Sequence, residues 1–304
     1  MIKDMTNPEG LGPAVQRALL TQELKRLRDA AGLTQAEVAD DRGWSISKFT
    51  RMENGAAAVG KSDLEGLLRL YGVTDPKRTS EMFALAAGAQ GKGWWEEYYS
   101  GPDKAYEAYL GYEDGASSIR AFQGLVIPGL LQTEAYARKF EEIFNLPPAL
   151  IERSVRLRLE RQKKVAAKAP EQHYIIDEVV FRRPVGDVMP DQLRHLQLVA
   201  RKSAVNLHIL PLRAGLHFGL RGAFVLLGFG KLMPEVLYLE GVRRGDLLIA
   251  ERETVGAGAA DVVHPFDEIA TYQDGYNELL KMALEPEESM DLISDTIRDL
   301  EGQE

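Results

Sequence analysis

Three polar side chains, Ser45, Ser47 and Lys48, lie within four residues of one another at the predicted start of a helix. Ser45 precedes this helix and can cap its first amides through its hydroxyl group. Short hydroxyls and long cations at a helix N-terminus suit the major groove of DNA, where base edges offer hydrogen-bond donors and acceptors. We therefore predict that Ser45, Ser47 and Lys48 read bases.

The residues before Ser45 predict another helix, which starts at Thr34, and a tight turn that joins it to the helix after Ser45. Thr34 can cap a helix that starts there, and Glu37 can reach back to the Thr34 amide, which completes a capping box. Gly43 suits the positive φ angle of a sharp turn. Three apolar residues of the helix after the turn recur at every third position and predict one buried stripe: Ile46, Phe49 and Met52.

Five further side chains around these two helices are predicted to hold DNA phosphates, which position a protein without specifying sequence. They are Gln35, Arg42, Thr50, Arg51 and Lys61. An exposed polar face of this kind has no obvious purpose in a helical bundle used only for protein contacts, so we favour DNA over that alternative.

The charge balance limits how tightly this region can bind DNA. The formal net charge is −9, acidic residues slightly outnumber basic ones up to Asp75, and Asp40 and Asp41 directly precede Arg42. Non-specific affinity is therefore expected to be weak. We expect a homodimer that binds double-stranded DNA at a palindromic operator, with half-sites about one helical turn apart.

The N-terminal residues resemble the Xre (Cro and phage repressor) helix-turn-helix domain. The matching positions are Leu24, Leu27, Arg28, residues 31–35, Ser45, Ser47, Lys48, residues 53–55, Leu64, Leu67 and Leu68. The resemblance implies an all-α bundle of five helices near residues 13–31, 34–41, 45–53, 61–71 and 75–89.

Later residues resemble the C-terminal part of one Xre branch, the antitoxin-like regulators of high-GC Gram-positive bacteria. The matching positions are Trp94, Trp95, Glu113, residues 118–120, residues 126–138, Arg156, Arg158, Arg161, Gln162, Asp177, Glu178 and residues 182–186. The Pro-Gly-Leu-Leu-Gln-Thr-Glu run at 128–134 is the most specific of these motifs. The resemblance implies a transcription regulator that is controlled by a small protein encoded nearby.

We place a domain boundary near residue 90, giving a DNA-binding domain at 1–90 and a regulatory or interaction domain at 91–304. Glycines and a proline interrupt the helical periodicity after Gly91, and aromatic residues then crowd the chain. These rings either line a ligand pocket or pack one element onto a core, and we favour packing. They are Trp94, Trp95, Tyr98, Tyr99, Tyr106, Tyr109 and Tyr112.

The second domain is predicted to be α+β with a mostly antiparallel sheet. Strands are predicted at 119–127, 173–181, 205–210, 223–228, 236–240 and 246–250, and helices at 133–144, 148–168, 190–202, 265–284 and 286–300. The longest amphipathic helix is expected to bury Phe266, Ile269, Tyr272, Tyr276 and Leu280, and the last to dock through Met290, Ile293 and Ile297.

Residues 151–168 form the most basic segment, with seven Lys or Arg against two Glu. This segment contacts flanking DNA or an acidic partner, or it is a solvated face whose arginine stems cover apolar surface, and we favour the last.

Catalysis is not predicted, and no metal or cofactor site is recognised. The chain has no cysteine, no H-E-x-x-H or G-x-S-x-G motif and no phosphate-binding glycine loop. Asp177 and Glu178, near His173, are adjacent on a predicted strand and would point to opposite faces. Arg182, His217 and Arg221 are candidate ligand or partner residues, gathered around a cleft.

These observations predict a sequence-specific DNA-binding transcription regulator. Its C-terminal domain is expected to mediate dimerisation and control by a small partner protein, with control by a small molecule as the alternative. No signal peptide and no apolar run long enough to span a membrane are recognised, so we expect a cytoplasmic protein.

Overall fold

A computed structural model of the chain describes residues 11–99, 101–183, 185–241, 245–249 and 265–302. These residues form two compact units. The first contains residues up to Trp94 together with Lys231–Met233, and the second contains Trp95–Gly230 and the residues from Pro234 onward. None of the described helices is long and apolar enough to cross a lipid bilayer.

The first unit contains the helical bundle that the sequence predicts. Its helices are α1 (Pro13–Ala30), α2 (Gln35–Arg42), α3 (Ile46–Glu53), α4 (Lys61–Leu70) and α5 (Pro76–Ala89). Each end lies within one residue of its expected position. The helical N-terminal fold is confirmed.

Local side-chain contacts explain where α2 and α3 begin. The Thr34 hydroxyl accepts from the Glu37 amide at 3.2 Å, and the Glu37 carboxylate accepts from the Thr34 amide at 2.8 Å, which completes the predicted capping box. The Thr34 amide and the Thr34 hydroxyl both donate to the Glu37 carboxylate, which holds the pKa of Glu37 below its ordinary value. Gly43 ends α2 with φ of +64°, and the Ser45 hydroxyl caps α3 by accepting from the Lys48 amide at 3.2 Å. The turn between α2 and α3 is therefore fixed by local chemistry.

The apolar stripe of α3 is only partly buried. Phe49 and Met52 are buried, as predicted, together with Leu24 and Leu64 of the neighbouring helices. Ile46, the third predicted member of the stripe, is instead 55 % exposed. It occupies the first helical position after the Ser45 cap, where periodicity alone does not guarantee a neighbour to pack against.

The second unit combines helices with one mixed sheet. Its helices are α6 (Lys104–Glu113), α7 (Glu134–Glu142), α8 (Pro148–Lys168), α9 (Val179–Arg182), α10 (Met189–Ala200), α11 (Pro265–Met282) and α12 (Pro286–Glu301). Its strands are β1 (Ser118–Gln123), β2 (Glu171–Asp177), β3 (Val205–Leu210), β4 (Phe224–Gly228), β5 (Val236–Leu239) and β6 (Asp246–Ile249). The predicted α+β class is confirmed.

The sheet has the order β3-β2-β1-β4-β5-β6. β1, β2 and β3 run parallel, and the remaining neighbours pair antiparallel. Residue Ser118 of β1 lies beside Glu171 of β2 and Gly228 of β4, which sets the register at the centre of the sheet. The parallel pairs arise because helices α7 and α8 connect β1 to β2, and α10 connects β2 to β3.

Several predicted boundaries in this unit were wrong. β1 ends at Gln123 and not at residue 127, and β2 ends at Asp177, after which α9 replaces the predicted strand end. α7 ends at Glu142 and not at residue 144. The Asp177 carboxylate accepts from the Val179 amide at 2.9 Å, which favours the turn into α9.

The two final helices cover the sheet. Ile269, Tyr272 and Tyr276 of α11 join a buried cluster with strand residues, as predicted. Leu279 is buried in this cluster, whereas Leu280, which was predicted to be buried, is 36 % exposed. The predicted burial of the Phe266 side chain lies outside the described residues. α12 packs within the second unit: of its predicted docking residues Ile293 and Ile297 are buried and Met290 is half-buried, and the Ser289 hydroxyl accepts from the Ile209 amide at 3.0 Å.

Candidate nucleic-acid interface and ligand cavity

The N-terminal turn of α3 presents the three predicted base-reading residues to solvent. Ser45, Ser47 and Lys48 are all exposed. Ser45 uses its oxygen as the helix cap and keeps its hydroxyl hydrogen for a further partner. The Ser47 side chain forms no hydrogen bond with any described residue.

The ammonium group of Lys48 already has two neighbours. It lies 3.6 Å from the Asp63 carboxylate of α4 and 4.3 Å from the centroid of the Trp44 ring. Exposed contacts of this kind contribute only about 0–1 kcal/mol each. A base or phosphate can therefore replace Asp63 and Trp44 as partners of the Lys48 ammonium group at a small cost in free energy. Until then these two contacts keep the ammonium group beside the N-terminus of α3.

Ile46 is the residue of this surface that sequence reasoning missed. Its exposed side chain lies between Ser45 and Ser47 on the first turn of α3. An apolar group in the major groove can contact the methyl group of thymine. The available signal was its position directly after a helix cap, which outweighs the three-residue periodicity.

Gln35 and Thr50 are held in a network within the first unit. The Thr50 hydroxyl donates to the side-chain oxygen Oε1 of Gln35 at 3.0 Å, and the side-chain nitrogen Nε2 of Gln35 donates to the Glu53 carboxylate at 2.5 Å. Glu53 is buried and accepts from Arg28 at 2.6 Å. The side-chain atoms of Gln35 and Thr50 that are predicted to contact phosphates therefore already form hydrogen bonds between α2 and α3.

The remaining predicted phosphate ligands differ in how available they are. Arg51 and Lys61 are exposed and form no ion pair with any described residue. The Arg42 guanidinium is half-buried 5.6 Å from the Trp44 ring and fills the space beside Gly66, where an added Cβ would lie 2.1 Å from its Nη2. The glycine in α4 thus makes room for Arg42 next to the turn.

Arg182, His217 and Arg221 each contact other side chains of the second unit. Arg182 pairs with Glu178 at 2.8 Å, and Arg221 lies over the rings of Phe218 and Tyr272. His217 is buried, with its Nε2 atom 3.3 Å from the Asp177 carboxylate. Their role as one ligand or partner site stays a prediction.

A cavity of about 500 Å³ lies within the second unit, away from these three residues. β1, β2, β4 and β5 supply one wall, and α8 with residues 126–132 supplies another. A third part of the lining is aromatic and consists of Tyr98, Tyr99, Tyr106 and Tyr109. Tyr112, by contrast, packs edge-on against Phe229, so the predicted aromatic cluster divides between cavity lining and core packing.

A buried ion pair closes one side of the cavity. Arg161 of α8 donates to both carboxylate oxygens of Glu113 of α6, at 2.8 and 2.7 Å. Tyr109 donates to Glu113 at 2.5 Å, and Tyr106 accepts from Arg161 at 3.0 Å. Burial raises the pKa of Tyr109 well above its ordinary value, so its hydroxyl stays a donor. The cluster thus satisfies two buried charges with several hydrogen bonds.

The Pro-Gly-Leu-Leu-Gln-Thr-Glu run forms part of the cavity wall. Gln162 of α8 donates to the carbonyl oxygens of Gly129 and Gln132, at 3.0 and 2.8 Å. Arg158 donates to the Gln132 side chain at 2.6 Å and to Glu141 at 2.9 Å. The run is therefore tied to α8 by Arg158 and Gln162, two positions that also carry the resemblance to the antitoxin-like branch.

Most charges of that basic segment are compensated within the second unit. Arg156 pairs with Glu152, Lys163 with Glu160 and Lys168 with Asp114, in addition to the pairs of Arg158 and Arg161. This arrangement agrees better with a mainly structural segment than with a surface reserved for flanking DNA.

Comparison with known families gave two matches. Residues 106–295, well over half of the chain, match the family described as a domain of unknown function, DUF5753. Residues 19–80 match a helix-turn-helix domain. No curated protein and no solved structure gave a significant match.

Proposed function

We propose that this chain, which belongs to the DUF5753 family and carries an N-terminal helix-turn-helix domain, is an Xre-type transcription regulator that recognises a specific operator. The helix-turn-helix domain supports a DNA-binding regulator. The observation that carries the proposal is the exposed, capped first turn of α3, with Ser45, Ser47 and Lys48 facing solvent. This is the part of a recognition helix that contacts base edges.

The neighbouring cations supply the contacts that orient the domain on DNA. Arg51 and Lys61 hold phosphates, and Arg42 adds its partly buried guanidinium beside the turn. Gln35 donates its second side-chain N–H to the DNA backbone, and Thr50 does so by turning its hydroxyl hydrogen from Gln35 to a phosphate. Because phosphate contacts carry no sequence information, selectivity comes from Ser45, Ser47 and Lys48.

Two copies of the chain bind one operator in this proposal. A net charge of −9 repels DNA at long range, and Asp40 and Asp41 are exposed close to the reading helix. One small reading head with few cations cannot overcome this repulsion and still bind tightly. A homodimer doubles the base contacts on a palindrome with half-sites about 34–36 Å apart.

A fragment that ends at Gly91 is expected to remain helical but to bind the operator at least about 100-fold more weakly than the full chain, because it loses the second head. The operator is obtained by selection from random duplexes with the full chain, and affinity is measured by fluorescence anisotropy. Circular dichroism checks that the fragment is folded. Full affinity of the fragment would show that dimerisation does not reside in the second unit.

The second unit controls DNA binding through an input that favours one conformation of the dimer. A small partner protein is the input that the antitoxin-like resemblance implies. Three exposed leucines on one segment of the second unit, at positions 212, 216 and 220, support a protein-binding surface, since exposed apolar groups often mark such contacts.

A small molecule is the second candidate input, and the cavity favours it. Its volume lies within the range of ordinary ligand pockets, about 300–1,000 Å³. The two inputs are distinguished by co-purification and by thermal shift. A stable complex with a neighbouring gene's product supports the first, and a melting temperature raised by a metabolite supports the second.

A further inference from the structure

One arginine in the cavity wall has no counter-charge. Arg158 is paired with Glu141 at 2.9 Å, and Arg161 is paired with Glu113 at 2.7 Å. Arg153, one to two turns earlier on α8, also lines the cavity, but its side chain forms no ion pair or hydrogen bond with any described residue. Its half-buried guanidinium is therefore available to a ligand.

The opposite wall offers planar apolar surface. The rings of Tyr99 and Tyr106 meet edge to face at 5.2 Å, those of Tyr106 and Tyr109 lie 6.1 Å apart, and Tyr109 stacks on Tyr238 at 4.4 Å. Tyrosines arranged in this way bind ring systems by stacking and edge contacts. The buried hydrogen bonds of Tyr109 hold this wall in place before any ligand arrives.

The cavity is reachable from solvent at its α7–α8 side. Leu146 and Leu150 both line the cavity and are exposed, at 37 % and 48 %. Ser154, half-buried beside Arg153 on α8, adds a hydroxyl donor to the same side. A ligand can therefore enter past apolar side chains and meet Arg153 at the entrance.

We propose that this cavity binds a small aromatic molecule with a single anionic group, a carboxylate or sulfonate. Its ring lies against the tyrosines, and its anionic group pairs with Arg153 and accepts from Ser154. The assignment deepens the small-molecule control proposed above and rests on it only for the effect on DNA.

Other ligand charges fit this cavity less well. A cation would meet the uncompensated charge of Arg153, and Arg161 already lies over the rings of Tyr106 and Tyr109. A multiply charged anion would bury charge that one free arginine cannot neutralise, which is costly in a largely apolar cavity. One negative charge balances Arg153, while the Glu240 carboxylate, which also lines the cavity, accepts from Gln123 at 2.8 Å.

The test compares two dyes that share one ring skeleton. 8-Anilino-1-naphthalenesulfonate carries an anionic group, and N-phenyl-1-naphthylamine lacks it. The full-length protein is expected to bind the sulfonate at one site per chain. An Arg153→Gln variant is expected to bind it about tenfold more weakly, equivalent to about 1.4 kcal/mol, with the affinity for the neutral dye unchanged.

Two more variants separate the cavity from the surface. Arg156→Gln removes the same charge from an exposed position of α8 outside the cavity lining and is expected to leave both dyes bound as before. Ser154→Trp fills the cavity entrance and is expected to abolish the binding of both dyes. Melting curves without dye confirm that each variant is folded.

The assignment is overturned if Arg153→Gln and Arg156→Gln weaken sulfonate binding equally, or if Ser154→Trp leaves either dye bound. Operator affinity is then measured with and without the sulfonate. Cavity binding that leaves operator affinity unchanged supports the site and counts against the proposed control by small molecules, so the two ideas can fail separately.

Discussion

An Arg161→Met variant is expected to lower the free energy of unfolding of the second unit by about 3–5 kcal/mol, because it leaves Glu113 charged and buried without its partner. Both side chains are almost fully buried, and they share two hydrogen bonds of 2.8 and 2.7 Å. Tyr106 loses its contact with Arg161 in the same variant. Urea unfolding followed by near-ultraviolet circular dichroism of the tyrosines measures the change.

Two controls make this result specific to the buried pair. Lys163→Met removes a cation of the same helix whose pair with Glu160 is exposed, and it should change stability by less than about 0.5 kcal/mol. The double variant Arg161→Met with Glu113→Leu should recover most of the loss, because no unpaired charge remains buried. If Arg161→Met costs no more than Lys163→Met, the pair is not a structural centre of this unit.

A Ser47→Ala and Lys48→Ala double variant is expected to lose at least about 100-fold in preference for the operator over random DNA, since each lost base contact costs about 1–3 kcal/mol. Its melting temperature should change little, because both side chains are exposed and Lys48 has only weak contacts with Asp63 and Trp44. Anisotropy titrations with operator and random duplexes at one ionic strength give the preference.

The matched control is Lys77→Ala with Ser80→Ala, which removes the same residue types from an exposed part of α5. This variant should keep the full operator preference. An operator preference that survives in the Ser47 and Lys48 variant would move the reading surface elsewhere, and a large loss of stability would mean that the assigned helix face is wrong.

Local signals made the first unit predictable from the sequence. Thr34, Gly43 and Ser45 each act within a few residues of themselves, as caps or as a left-handed turn. Their effect does not depend on distant parts of the chain, so the starts of α2 and α3 followed from residue types alone, while their ends were implied by the Xre resemblance. Ile46 escaped this reasoning because its exposure depends on what the neighbouring helices cover.

The cavity could not be predicted from the sequence, because it depends on contacts between residues that are distant along the chain. Its central pair joins Glu113 to Arg161, and Arg158 meets Glu141, so each contact joins residues far apart in the sequence. Composition showed a basic segment and an aromatic one but not that they face each other. The end of β2 was missed because the strand-favouring residues Val179, Val180 and Phe181 follow Asp177, whose side chain instead favours the turn into α9.

The central claim is that the first turn of α3 distinguishes one base sequence from another, and competition between two duplexes tests it most directly. The full-length protein is bound to a labelled operator obtained by selection and challenged with unlabelled operator or with the same duplex scrambled, at about 150 mM salt. The account predicts that the operator competes at least about 1,000-fold better, the lower end for specific DNA-binding proteins. Equal competition by the two duplexes, or selection that enriches no sequence, would contradict it.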